Sequence, residues 1–102
     1  MDLNHVVIGG RLAVPPEITP EPDGRRRMRL LIVVRGSDPP RVDLIPVTIW
    51  DPPDVGSLEI GTRAYVSGSL HRRFSERGGS SRIEVVADHI STCPPAAELI
   101  DM

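Results

Sequence analysis

The stretch Gly68-Ser69-Leu70-His71-Arg72-Arg73-Phe74-Ser75-Glu76-Arg77-Gly78-Gly79, continued by Ser80-Ser81-Arg82-Ile83-Glu84-Val85-Val86-Ala87-Asp88-His89-Ile90, reads as one long β-hairpin. Apolar and polar residues alternate with the strand period on both sides of a glycine tip, and such a pattern supports paired strands. Near the tip, one aromatic ring, Phe74, stands among four arginines, Arg72, Arg73, Arg77 and Arg82. A ring stacks on a base and guanidinium groups neutralise phosphates, so this arm points to nucleic acid on a strand scaffold.

Working outward, the same alternation extends through the chain. The strand over 62–73 places Ala64, Val66, Gly68 and Leu70 inward and Arg63, Tyr65 and Ser67 outward, and its return runs over 80–92. Upstream, a strand over 42–50 ends at Trp50, which is in phase with Thr48 rather than with Val47 and Ile49 and therefore belongs to the outer face. Pro46 predicts an edge or a bulge within that strand. Over 25–35, Met28, Leu30, Ile32 and Val34 share one face, while Arg27, Arg29, Leu31, Val33 and Arg35 share the other. The first strand, over 4–14, turns Val6, Ile8 and Leu12 inward, with Gly9-Gly10 predicting a bulge or tight bend and Pro15-Pro16 ending it. Residues 17–24 read as a loop.

Asp51-Pro52-Pro53-Asp54 predicts a helix start, with Asp51 as N-cap and Pro52 at the first helical position. Only one or two turns fit before Gly61. An all-β chain of five strands, with one short helix between the third and the fourth, has the element order of the OB-fold, a partly open Greek-key barrel.

The bulk composition limits what this barrel can serve. At 102 residues and 39% hydrophobic content the chain supports one domain, expected over 1–93 and followed by a short tail over 94–102 after Pro94-Pro95. The net charge of −2 argues against a generic polyanion binder, so any basic patch is local. It is concentrated: 24–41 holds six arginines and one aspartate, and 62–83 holds five arginines and one glutamate. The compensating acids lie in 17–23, in 51–60 and in the tail, which leaves room for an electropositive groove. All twelve basic residues are arginine, read first as the mark of a GC-rich genome.

Cys93 is the only cysteine, so no internal disulfide is expected, and the first residues lack the basic and apolar regions of a secretory leader. A cytoplasmic location follows. No run approaches the ~18 apolar residues of a membrane span, and a membrane partner is not expected. His5, His71 and His89 share no metal-ligand spacing with Cys93, and neither a Gly-x-Ser-x-Gly elbow nor a phosphate-cradling loop occurs. The expectation is a protein that is not an enzyme, with no cofactor, no metal and no small-molecule substrate.

Several segments together resemble the bacterial single-stranded DNA-binding protein family over about residues 3–93. They are Asn4-His5-Val6-Val7-Ile8-Gly9-Gly10-Arg11-Leu12 with Pro16-Glu17, Val47-Thr48-Ile49-Trp50, Gly61-Thr62-Arg63-Ala64-Tyr65-Val66-Ser67-Gly68-Ser69-Leu70, and Glu84-Val85-Val86-Ala87-Asp88-His89-Ile90. The resemblance implies an OB-fold that binds single strands without sequence preference, usually as a homotetramer. It places Trp50 at an aromatic position ending the third strand, Phe74 at an arm aromatic and Tyr65 at a fourth-strand tyrosine. Two family aromatics have no counterpart: Leu44 stands near the start of the third strand, and Gly36-Ser37-Asp38 forms the turn after the second. At ~1–3 kcal/mol per stacked base, two absent platforms lower the expected affinity by several kcal/mol. The segment over 51–60 is about one turn shorter than the family's, and recruitment through the family's acidic tail is not expected.

The expected nucleic-acid contacts are Arg27, Arg29, Arg35, Trp50, Arg63, Tyr65, Arg72, Arg73, Phe74, Arg77 and Arg82. The expected partners are single-stranded DNA and the chain itself, as homodimer or homotetramer, in a nucleoid-associated role in replication, repair or recombination. The alternative is an oligomeric protein-interaction module, similar to the dimeric primosomal replication proteins, with weak or no DNA binding. The negative net charge, the absent aromatics and the apolar outer residues Leu31 and Val33 motivate it.

Overall fold

Alternation in the sequence becomes a barrel because each strand has one apolar face and the strands are joined so that all these faces meet. The computed structural model describes residues 1–54, 56, 58–74 and 81–94. Its strands are β1 (Val6–Leu12), β2 (Glu17–Pro20), β3 (Arg26–Ser37), β4 (Pro40–Trp50), β5 (Arg63–Phe74) and β6 (Ser81–Cys93). The antiparallel pairs β3–β4, β5–β6 and β1–β5 are joined by a parallel β4–β6 ladder at Val47–Val85 and closed by β1–β3 at Arg11–Val33 and Leu12–Ile32. Five strands thus form a closed mixed barrel in the order β1–β3–β4–β6–β5, the Greek-key topology of the OB-fold.

The core is Leu12, Met28, Leu30, Ile32, Val47, Ile49, Ala64, Val66, Val85 and Ala87, with Val6, Ile8 and Val34 packed partly against it. On β1, β3, β4 and β5 these are the inward positions expected from the strand period; Val85 and Ala87 add the inward face of β6. Leu70 is different: it keeps the inward phase, opposite Val85, but is 46% exposed, at a point where β5 has run past its ladder with β1, which ends at Val6–Gly68. Pro46 lies one residue before the β4–β6 ladder, where its missing N–H is not required for that pairing.

Three expectations are corrected. The loop over 17–24 contains β2, which pairs with the start of β3 from Glu17–Arg29 to Pro20–Arg26. Its turn is built by Pro22-Asp23-Gly24: the Gly24 N–H donates to the Glu21 carbonyl at 3.0 Å, and Gly24 has φ +89. A three-residue hairpin loop ending in a left-handed glycine is a common solution for antiparallel strands.

The expected helix is absent among the described residues. Asp51 does not cap a helix because β3 engages it: its N–H donates to the Arg26 carbonyl at 2.7 Å and its Oδ1 accepts from the Arg26 N–H at 3.0 Å. At φ +48 it ends the β3–β4 ribbon in the left-handed region, which aspartate tolerates.

Gly9-Gly10 is no bulge, since β1 pairs with β5 in unbroken register through it, and the irregularity lies between Ser67 and Gly68 instead. Gly10 serves closure. A Cβ there would lie 2.1 Å from the Val33 carbonyl oxygen, so only glycine lets β1 and β3 meet.

Candidate nucleic-acid interface

Residues directly opposite in a β-ladder share a face, and the registers therefore fix which outward side chains are neighbours. Arg27 is opposite Trp50 and Arg29 opposite Thr48 across β3–β4; Thr48 is beside Val86 across β4–β6; Glu84 is opposite His71 and Arg82 opposite Arg73 across β5–β6. Arg27, Arg29, Trp50, Arg73 and Arg82 thereby meet on one continuous outer surface. It contains a cavity of about 360 Å³ lined by Arg27, Arg29, Arg73, Phe74, Ser81, Arg82 and Glu84.

A buried acid organises this basic cavity. Glu84 is only 5% exposed. Its Oε2 accepts from the Thr48 hydroxyl at 2.8 Å, and its Oε1 lies 3.2 Å from Nη2 of Arg73. A carboxylate removed from water requires such partners, and the pair in turn holds the half-exposed Arg73 guanidinium at the cavity. Arg27 is steadied similarly, with Nε 3.2 Å from Glu21 Oε1 in an ion pair. Sequence reasoning missed Glu84, because a glutamate between Ile83 and Val85 reads as a solvated strand face and its partners are distant in the chain.

Trp50 lies on the outer face as its phase predicts, half-buried, and one guanidinium covers it. Arg25 Cζ is 4.2 Å from the centroid of the indole, and Arg27 Cζ is 5.9 Å away. Arg25 is the first residue after the β2–β3 turn, where Asp23 clamps it: Oδ1 accepts its backbone N–H at 3.0 Å and Oδ2 its Nε at 2.7 Å. That backbone N–H first, and then the guanidinium, hold the Asp23 carboxyl below the usual carboxylate range. Arg25 was not among the expected contacts.

Of the remaining expected residues, Arg35, Arg63, Tyr65 and Arg72 separate from this surface. Arg35 and Arg63 line a second groove of about 410 Å³ with Gly9, Gly10, Arg11, Leu12, Val33 and Gly61. Arg11, also missed because it stands alone in its strand, donates from Nη1 to the Gly61 carbonyl at 3.1 Å. Tyr65 lies over Gly9, where a Cβ would come 2.8 Å from its ring, and borders a shallow depression with Val7, Ser67, His89, Ile90 and Ser91. It shares no lining residue with the arginine cavity.

Arg72 donates to the Ser81 hydroxyl at 2.9 Å, and the strand period puts it on the opposite face of the hairpin from Arg73. Phe74 shares that phase with Arg72, yet at the end of β5 it is 68% exposed and still walls the cavity. Arg77 lies outside the described residues. Leu44 faces outward opposite Val33, and Val42 opposite Arg35, so aliphatic side chains occupy the outer face there.

A closed five-stranded Greek-key barrel with arginines and rings on one outer face is an OB-fold whose surface suits an extended polyanion with stackable rings. The chain is similar in structure to the dimeric N-terminal domain of the PriB protein from Thermoanaerobacter tencongensis. The TM-score is 0.73 at 27% identity, over 89% of this chain and 97% of that one. No protein-family model and no curated protein matches the sequence.

Proposed function

We propose that this chain binds single-stranded DNA without sequence preference, as a self-associating OB-fold protein that supports DNA replication, repair or recombination. One observation carries the reading: four arginines and Phe74 line a single outer cavity, with Trp50 beside Arg27. No set of base-edge readers is needed for such binding, since backbone charge and stacking supply it. Self-association is supported by the dimeric state of the similar PriB domain.

The test is the anisotropy of a labelled oligo-dT titrated with protein across a salt series. Saturable binding at low salt is expected, with log affinity falling against log salt at about −0.7 per phosphate neutralised. Absence of binding at low salt refutes the reading. A stable oligomer indifferent to the oligonucleotide, seen by gel filtration, then favours the protein-interaction module, for which the exposed Val42 and Leu44 provide apolar surface.

A further inference from the structure

The indole of Trp50 is not the surface an incoming base meets first. With Arg25 Cζ over the ring at 4.2 Å from its centroid, that face of the indole is already covered by a cation–π contact, and a base has no room between them. The Arg25 side chain is half exposed, at 51%, and its Nε is fixed by Asp23 at 2.7 Å. We infer that Arg25 is a base-stacking residue of the single-strand site: a nucleobase lies on the outer face of its guanidinium, whose inner face rests on Trp50 and whose edge is held by Asp23. The inference builds on the proposed single-strand binding.

Two arrangements compete, and the geometry separates them. If a base displaced Arg25 to reach the indole, the cation–π contact and the Asp23 pair would both be lost in exchange for one stack. If it lies on Arg25, both are retained and a third planar layer is added. Guanidinium planes stack on bases as aromatic rings do, and here the plane is held in place before the ligand arrives. Arg25 also adds positive charge beside Arg27, which borders the adjoining cavity.

The experiment compares the wild type with Arg25→Ala, Arg25→Lys and Asp23→Asn in the labelled oligo-dT titration at one fixed salt concentration. Circular dichroism verifies that each variant keeps its fold. Arg25→Ala is expected to weaken binding about tenfold, although it uncovers Trp50 and makes it more accessible to acrylamide. Arg25→Lys retains the charge without the plane, and is expected to recover little of the loss. Asp23→Asn, which loosens the clamp, is expected to weaken binding by about two- to threefold despite removing a negative charge. Equal or tighter binding by Arg25→Ala makes Arg25 a cap over the indole and overturns the inference, as does full recovery by Arg25→Lys. If the wild type itself fails to bind at low salt, the single-strand reading falls, and this assignment with it.

Discussion

Two arginine clusters border the outer face of β3, one near each end, and they are built differently. The arm-side cluster, Arg27, Arg29, Arg73 and Arg82, surrounds a buried carboxylate and is bounded by Phe74. The closure-side cluster, Arg11, Arg35 and Arg63, surrounds a floor of glycine backbone and has no aromatic in its lining. The cavities are alike in size and both are basic, so charge does not distinguish them. Rings and an internal acid do. The arm side combines held cations with a stacking surface, whereas the closure side offers cations alone, suited to a passing phosphate chain.

The largest expected effect tests the closure side as structure. Gly10→Ala should cost about 3 kcal/mol of unfolding free energy, because the added carbon meets the Val33 carbonyl, which the barrel seam holds in place. Unaltered denaturant midpoints would show that the seam can shift and that the glycine floor is incidental.

Next is the buried acid of the arm side. Glu84→Ala leaves the Thr48 hydroxyl and Arg73 without their partner and should cost about 2 kcal/mol in the same assay. A loss no larger than that of Asp88→Ala, a control at an exposed acid, would mean that the carboxylate organises nothing.

Phe74→Ala should weaken oligo-dT binding about tenfold, or ~1.4 kcal/mol, at constant salt with little change in slope. Arg35→Ala should change affinity least. Its signature is a salt slope shallower by about 0.7, with no dependence on base identity. If Arg35→Ala instead weakened binding more than Phe74→Ala, the contrast between the two clusters would be reversed.

What the sequence showed of this arrangement follows the range of the forces involved. The inward set on β3 and the outward phase of Trp50 were legible because pleating imposes a local period of two. The paired basic elements were legible as charge density along the chain. The splitting of the arginines into two clusters was not, because it depends on cross-strand register and on where β1 closes onto β3.

Asp51-Pro52-Pro53 carried a sound local helix signal, yet the amide of Arg26, 25 positions earlier, took the side-chain oxygen that such a cap needs, and the Arg26 carbonyl took the Asp51 N–H as well. The strand β2 was readable in principle, since Pro22-Asp23-Gly24 is a hairpin-turn signal following Glu17-Ile18-Thr19. The brevity of that strand concealed it. Arg25 gave no signal of its own in a run of similar arginines, and only the turn geometry distinguishes it.

The strand connectivity also has a kinetic consequence. β2, β3 and β4 pair through short turns and can form early, whereas the barrel seams join Val47 to Val85 and Val6 to Gly68. Loop closure over such separations must precede the contacts that reward it, so folding of this small domain should fall in the slow millisecond-to-second range of non-local β topologies. Until those seams form, the β2–β3–β4 meander carries Leu30, Ile32 and Val47 without cover, and this is the interval in which a nascent chain is most exposed to misassociation.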